Sequence, residues 1–272
     1  ALRREDYGPK SIAAGCDMFL FFNNIEEDFG FMLKGYQNGV ITEERLTDAL
    51  RRILGLKAKL HLPEKQANGT LLRTREDLNV IGCEEHLQWR AEAADKGISL
   101  IKDTQNNLPI NPVDHKRIRL YMLEGEKGGI TDNGSKAQQL FVDELTKRGY
   151  EVTVNERGSR VKGATLKYRD EVDFALEVAD IAGYGAQNNY RIQWSTAMAN
   201  EVPWFVWEVP HAFVSLNFTT HLHDATMVKT FVNAYHNNEE TIKQVIDKLE
   251  GKSEFKGGHN DLVWTDKWQA KL

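Results

Sequence analysis

The sequence predicts an α/β fold, a three-layer α/β/α sandwich with a mostly parallel sheet. From Glu84 onward, short apolar runs alternate with amphipathic helical segments, which is the pattern of strands buried between helices. Ahead of that domain, one apolar run and two amphipathic helices provide a single βα part of a second fold. The chain has 272 residues and is 41% hydrophobic, so it can hold up to two ordinary domains with real cores.

The first apolar run extends from Ala13 to Phe22, and it predicts a strand buried on both faces. An amphipathic helix follows it and ends at Asn38 and Gly39, which supply a left-handed stop. Thr42 then caps a second helix. Because one buried parallel strand is not a domain, we expect its neighbours to come from residues before Ala1 or from another chain.

The domain boundaries follow from a polar break with Pro and Gly at residues 62–69. We predict a first part at residues 1–62, a linker at 63–83 and a sandwich domain at 84–272. The strands predicted in that domain are 98–101, 118–123, 150–154, 180–184, 212–217 and 230–235. Its helices are predicted to begin at Glu84, to include 137–145 and 172–178, and to close the domain at 238–251.

Composition excludes several functions. The net charge is -5, from 40 acidic and 35 basic residues, and there is no basic block, so nucleic-acid binding is not expected. No run approaches the roughly 20 apolar residues of a membrane helix, so no membrane association is predicted. The two cysteines, Cys16 and Cys83, are too few for a disulfide framework, which favours a reducing, cytoplasmic location.

Three local patterns suggest chemistry, and each has a simpler interpretation. His221 and His223 would place two imidazoles on one face, as in a zinc site, but only His211 is near in sequence as a further ligand. Ser215 lies near His221 but lacks a nucleophile elbow. The Gly-rich segment 125–129 does not match a dinucleotide fingerprint. Histidines bonded to the backbone and a surface loop are the favoured interpretations, so we predict neither a metal nor a cofactor.

Aromatic residues cluster in a tract with little regular periodicity, Trp194, Trp204 and Trp207. Aromatic faces stack on sugars, so a carbohydrate surface is one interpretation. Burial of the tract against the sheet or against missing neighbours is the other, and it is favoured.

Several phrases of the sequence resemble glycoside hydrolase family 3. Those similar to the family's α/β sandwich domain are Lys96–Asp103, Asn107–Ile110, Val209–Asn217, Lys229–Tyr235, Phe255–Gly257 and His259–Leu262. Ala14–Met18 resembles the eighth strand of the family's catalytic (β/α)8 barrel. The resemblance therefore implies the last βα part of an incomplete TIM barrel followed by the sandwich domain. It is nearest to the β-N-acetylglucosaminidase (β-hexosaminidase) branch.

This resemblance implies a parent enzyme that hydrolyses terminal β-linked N-acetylglucosamine, or related β-glycosides, with retention. The family's nucleophile Asp follows barrel strand seven and would precede Ala1, and the branch's Lys-His substrate motif does not occur in the sequence. Hence we predict no catalytic residue in this chain and no activity for the chain alone. Asp6 and Asp17 are the nearest carboxylates, and structural roles are expected for them.

Some family branches use a Glu of the sandwich domain as acid/base. Glu124, Glu201 and Glu208 are conceivable donors here, although solvated or structural roles are favoured for each.

The candidate substrate-binding residues are Phe21, Phe22 and Asn23. By the resemblance, they end strand eight at the carboxyl face of the barrel, where active sites form. Core packing is the competing interpretation for the two phenylalanines. The expected partner is a carbohydrate, bound by the full-length enzyme, and the edges of the incomplete barrel favour self-association. The alternative function is a non-catalytic module that binds carbohydrate or protein.

Overall fold

The structure is a computed structural model that describes residues 3–125, 136–161, 164–181, 191–264 and 270. The chain divides into two compact units, Ala1–Ile81 and Gly82–Leu272, which we call the helical unit and the α/β unit. Among the described residues, no helix combines the length and the apolar character needed to cross a membrane.

The helical unit contains four α-helices and one 3-10 turn among its described residues. The helices are α1 (Arg4–Ala13), α2 (Ile25–Gln37), α3 (Glu43–Lys59) and α4 (Leu62–Ala67), and the turn is Glu76–Val80. Two predicted boundaries are confirmed: the Thr42 hydroxyl accepts a hydrogen bond from the Arg45 amide at 3.2 Å, and Gly39 has a φ of 72°. Helix α4 begins at Leu62, the last residue of the predicted first part, and continues into the segment predicted as a linker.

Residues 14–24 form neither a helix nor a strand, so the predicted strand from Ala13 to Phe22 is wrong for this chain. Phe19 packs near Gly8 of α1, but Leu20 and Phe21 are 79% and 86% exposed. A strand requires a neighbour for its amide and carbonyl groups, and residues 3–81 of the helical unit provide none. The run is therefore apolar without being buried by the residues described.

The α/β unit is built on one six-stranded sheet. Its strands are β1 (Ser99–Asp103), β2 (Arg117–Glu124), β3 (Glu151–Val154), β4 (Phe174–Asp180), β5 (His211–Ser215) and β6 (Thr230–Asn233). The spatial order is β1-β6-β5-β4-β2-β3, and every pairing is parallel except that of β1 with β6. The mostly parallel sheet with helices beside it confirms the predicted α/β class.

Helices α5 (Glu84–Gly97), α6 (Ala137–Lys147), α7 (Thr165–Glu171) and α8 (Glu239–Leu249) accompany the sheet. Phe141 of α6 and Val245 of α8 are fully buried in one core with Leu120 and Leu176 of the sheet. A second core includes Tyr121 of β2, Tyr168 of α7 and Phe205 of the 3-10 turn Trp204–Trp207. Apolar side chains that alternate along the strands fill both cores.

Strand β4 corrects the prediction of a helix at 172–178 and a strand at 180–184. All seven residues of β4 are buried, because the strand lies between β2 and β5 with side chains packed on both faces. Ala, Leu and Glu favour helices in isolation, but burial between two strands overrides that preference. The preceding helix is α7, and residues 182–184 lie outside the described part of the chain.

The chain returns to the beginning of the sheet at Gly257. Its amide donates a hydrogen bond to the Ile98 carbonyl at 3.2 Å, and Ser99 Oγ donates to the Gly258 carbonyl at 2.9 Å. A Cβ at position 257 would lie 2.3 Å from the Gly97 oxygen, so only glycine fits this approach.

Candidate functional site

The three predicted substrate-binding residues lie together in the exposed segment between α1 and α2. Phe21 has a left-handed φ of 59°, which is uncommon for an aromatic residue, and its ring faces solvent. Phe22 is 56% exposed. Core packing therefore does not occupy either ring among the residues described, and both remain available to contact a ligand or another part of a larger protein.

Asn23 is fixed by a carboxylate of the following helix. The backbone amide of Asn23 donates a hydrogen bond to Asp28 Oδ2 at 2.9 Å. The Arg4 guanidinium donates to the same carboxylate at 2.6 and 2.7 Å. The hydrogen bond from Arg4 holds the pKa of Asp28 below its ordinary value, although burial acts in the opposite direction. Asn24 caps α2 by accepting from the Glu26 and Glu27 amides. The end of the segment is thus anchored, while Phe21 projects from it.

Large apolar side chains surround this segment on the surface of the helical unit. Those that are at least 45% exposed between residues 18 and 33 are Met18, Leu20, Phe21, Phe22, Ile25, Phe29 and Leu33. Extended exposed apolar patches mark interaction surfaces in soluble proteins. We call this set the apolar surface of the helical unit.

Asp17 and Asp6, the two carboxylates considered as nucleophiles, are each held by an arginine. Asp17 is bonded to Arg45 of α3, and the same guanidinium donates to the Ile12 carbonyl at 3.0 Å and to Asp48. Asp6 lies 3.5 Å from Arg3. Asp17 therefore joins the segment to α3, and its charge is already paired.

The three histidines considered for zinc do not form a cluster of ligands. Nε2 of His211 accepts a hydrogen bond from the Lys229 amide at 2.8 Å, and burial lowers the pKa of His211 to about 4, so it is neutral at pH 7. Nδ1 of His221 lies 2.8 Å from Ser215 Oγ, which also accepts the Phe218 amide at 3.0 Å. Among the described residues, no group of three or more His, Cys, Asp or Glu side chains could hold a metal ion.

Ser215 and His221 are completely buried, so their contact stabilises the loop after β5. A nucleophile needs access to substrate, and neither side chain has it.

Glu177 and Glu201 are the two glutamates among the buried residues described in the α/β unit, and only Glu201 was named from the sequence. Glu177 of β4 is 1% exposed, and neither of its oxygens has a hydrogen-bond partner among the described residues. Burial, with a smaller effect from the charge of Glu201, raises its pKa well above the ordinary value. A Glu inside an apolar run was the available signal.

Glu201, one of the three conceivable acid/base donors, is also buried. Burial raises its pKa, but hydrogen bonds from Ser195 reverse this effect, so the net pKa lies below the ordinary value. Its Oε1 accepts the Ser195 amide at 2.8 Å and lies 3.6 Å from Arg157. Glu208 is paired with Arg169 at 2.7 Å. The lowered pKa of Glu201 does not favour proton donation at neutral pH, and the Glu208 carboxylate is engaged in an ion pair.

The tryptophan tract is divided between core and surface. Trp204 packs against Tyr168 with ring centroids 4.7 Å apart, and Trp194 packs on a buried cluster. Trp207 is 69% exposed, and Lys229 Nζ lies 4.6 Å from the centroid of its ring.

Comparisons with known proteins agree with the fold. No protein-family model matches the sequence. The whole chain is 35% identical over 276 residues to a β-N-acetylglucosaminidase/β-glucosidase of Cellulomonas fimi, and it spans about half of that curated relative, 48% of its length.

Solved structures give the same result. The structure of a β-glucoside phosphorylase BglX matches 94% of the chain with a TM-score of 0.76 and 35% identity, over 45% of its own length. A glycoside hydrolase family 3 β-N-acetylglucosaminidase from Paenibacillus sp. str. FPU-7 has the same fold, with a TM-score of 0.60 and 16% identity over 94% of this chain and 47% of its own. The chain belongs to glycoside hydrolase family 3 and corresponds to the carboxyl-terminal portion of its members.

Proposed function

We propose that this chain is the carboxyl-terminal part of an enzyme that hydrolyses terminal β-linked N-acetylglucosamine, or related β-glycosides, with retention. The observation that supports this most strongly is 35% identity over the whole chain to a β-N-acetylglucosaminidase/β-glucosidase. Because the chain covers 48% of that relative, the remaining half would supply the nucleophile and the acid/base.

The exposed segment between α1 and α2 supports the same proposal. Among the described residues, no strand lies beside Leu20 and Phe21, as expected for one strand of a barrel whose other strands lie elsewhere. In the complete enzyme, the apolar surface of the helical unit would pack against those strands. Without them, we propose that the chain self-associates through this surface, which light scattering on the purified chain would test.

Phe21, Phe22 and Asn23 would then line the sugar pocket. In a complete barrel these residues would stand at the carboxyl end of the last strand, the position where barrel enzymes build their sites. The Asp28 carboxylate anchors Asn23, so its amide side chain has a defined origin from which to reach a sugar hydroxyl.

An assay with an aryl N-acetylglucosaminide tests the proposal. The isolated chain is expected to release no chromophore, whereas the product of the full gene releases it. Turnover by the pure chain that is abolished in Asp17→Asn would contradict the proposal, because the catalytic centre would then lie within these 272 residues.

The same protein samples distinguish this proposal from two alternative functions. The 35% identity to a β-glucoside phosphorylase favours phosphorolysis as the second candidate reaction, and it predicts that added phosphate accelerates turnover and yields a sugar phosphate. A non-catalytic module that binds carbohydrate or protein predicts no turnover even by the full gene product.

We also propose a cytoplasmic location. Cys16 is exposed and Cys83 is half-buried, and both are free thiols in the described structure. Cell fractionation with a thiol-labelling reagent would contradict this proposal if the protein were found outside the cytoplasm.

A further inference from the structure

A cavity of about 250 Å³ lies in the α/β unit, beside the edge of the sheet where β2 pairs with β3. Arg119 and Tyr121 of β2 form one wall, and Asn155, directly after β3, forms the next. Tyr168 of α7 and Trp204 of the 3-10 turn form the opposite side. The volume is slightly below the range of about 300–1,000 Å³ that drug-sized ligands occupy, so it suits a molecule the size of one sugar ring.

Positive charge dominates the lining of this cavity. Arg119, Arg160 and Lys167 contribute three cations, while Glu171 contributes the carboxylate, 3.6 Å from Lys167. Neither arginine forms an ion pair with any residue that the structure describes. The Nε atom of Arg119 is buried and has no hydrogen-bond partner in that same part of the chain. An unpartnered guanidinium donor in a residue that lines a cavity indicates an acceptor that the described residues do not supply.

Aromatic rings and amides hold the rest of the wall in place. The hydroxyls of Tyr121 and Tyr168 lie 3.0 Å apart, and Trp204 packs edge-on against Tyr168. The side chains of Asn155 and Asn200 exchange two hydrogen bonds of 3.0 Å, and Asn200 also donates to Ser159 Oγ at 2.6 Å. Because these groups are fixed by one another, the cavity has a defined shape before any ligand enters.

We propose that this cavity binds a small hydroxylated anion, a sugar phosphate or a sugar acid. Arg119 and Arg160 would bind the phosphate or carboxylate, since guanidinium groups match both in geometry and charge. The Ser159 and Tyr168 hydroxyls would form hydrogen bonds with sugar hydroxyls. The indole ring of Trp204 would contact an apolar face of the sugar.

Isothermal titration calorimetry on the full chain tests the proposal with four probes: glucose 6-phosphate, glucuronate, glucose and inorganic phosphate. We expect one of the two sugar anions to bind with a Kd of about 1 mM or tighter, and glucose and phosphate to bind at least tenfold more weakly. The stronger sugar anion identifies the acid group. No binding of either sugar anion at 10 mM would overturn the proposal, and so would equal binding of glucose and a sugar anion.

Two variants locate the site. Arg160→Gln changes an exposed side chain and is expected to weaken the binding of the sugar anion at least fivefold. Arg119→Gln should have a similar effect, and circular dichroism would show whether it still folds. Arg90→Gln, on the exposed side of α5 and outside the cavity lining, is the matched control and should bind as the natural chain does.

Undiminished binding in Arg160→Gln would overturn the assignment even if Arg119→Gln failed to fold. The measurement involves no turnover, so its outcome does not depend on the proposed glycosidase function.

Discussion

Arg4 and Asp28 connect the first two helices of the chain through two parallel hydrogen bonds, from Nε to Oδ1 at 2.6 Å and from Nη2 to Oδ2 at 2.7 Å. Paired geometry of this kind adds directional specificity to the attraction between the charges. Since Asp28 also accepts the Asn23 amide, the pair determines where the exposed segment with Phe21 and Phe22 ends.

Replacing Asp28 with Asn is therefore expected to release residues 18–24. Asparagine retains the shape but has no charge and only one acceptor oxygen, so the paired, charged interaction with Arg4 is lost. Hydrogen–deuterium exchange should become faster at the amides of residues 22–24, and protease cleavage beside Phe21 and Phe22 should accelerate. Asp6→Asn is the control, because Asp6 lies near Arg3 on an exposed part of α1. Equal exchange rates in natural and Asp28→Asn proteins would show that the segment is fixed by other contacts.

The buried carboxyl of Glu177 predicts an unusual dependence on pH. Its folded pKa is raised, so the folded state binds a proton more tightly than the unfolded state, and stability falls as the pH rises above the ordinary value of 4.5. Glu177→Gln removes this titration. The variant should match the natural protein at pH 4 and exceed its free energy of unfolding at pH 7 by on the order of 1–3 kcal/mol.

Urea denaturation followed by tryptophan fluorescence measures this difference. All six tryptophans lie in the α/β unit, so the signal reports that unit alone. A variant less stable than the natural protein at pH 7 would contradict the interpretation of Glu177 as an unpaired buried acid.

The buried lysine of α8 predicts a stability loss of another kind. Lys248 is 0% exposed and donates hydrogen bonds to Asp95 Oδ1 at 2.8 Å and to the Glu254 carbonyl at 2.6 Å. Asp95→Asn would leave that cation buried without its carboxylate, at a cost of about 3 kcal/mol. Asp143→Asn, on the exposed side of α6, is the control and should change the urea midpoint little. Similar urea midpoints for Asp95→Asn and Asp143→Asn would contradict this role of Asp95.

The pKa of Asp95 gives this pair a second signature. The hydrogen bonds from Lys248 and Lys256 lower it, so the unfolded state binds the proton more tightly. Its contribution to stability is complete above the ordinary pKa and is lost as the pH falls through the lowered folded value. The difference between the natural protein and Asp95→Asn should therefore shrink in acid.

Two adjacent glycines provide a matched test of close packing. A Cβ at Gly257 would lie 2.3 Å from the Gly97 oxygen and 2.4 Å from Ser99 Oγ, whereas one at Gly258 would meet nothing within 4 Å. Gly257→Ala is expected to destabilise the α/β unit by about 1–3 kcal/mol, since two of the three nearest atoms are the backbone oxygens of Gly97 and Ile98, which cannot move aside. Gly258→Ala should be nearly neutral. Equal thermal midpoints for the two variants would contradict the packing described here.

The sequence predicted those parts of the fold in which local chemistry decides the structure. Thr42 begins α3 and Gly39 ends α2 as expected, because a helix cap and a left-handed glycine depend only on a few adjacent residues. Strand β4 was mistaken for a helix because its burial depends on β2 and β5, which are distant in sequence. The predicted strand at Ala13–Phe22 failed for the complementary reason, since a strand cannot form without neighbours.

The candidate sites also differ in whether adjacent residues or residues distant in sequence form them. Phe21, Phe22 and Asn23 were identified because they are consecutive and follow an apolar run, and their role as a sugar-binding surface stays a prediction. The cavity at Arg119 could not be predicted, because its lining comes from β2, α7, two loops and the 3-10 turn Trp204–Trp207, which only the folded sheet brings together. Glu177 was visible as a charged residue in an apolar stretch, but its burial became evident only when both neighbouring strands were known.

The return of the chain at Gly257 also joins the segment after α8 to the residues that open β1. That segment follows every strand of the sheet in sequence, whereas β1 is the first strand. During synthesis, the contacts at the start of β1 are therefore completed only after all six strands have been made.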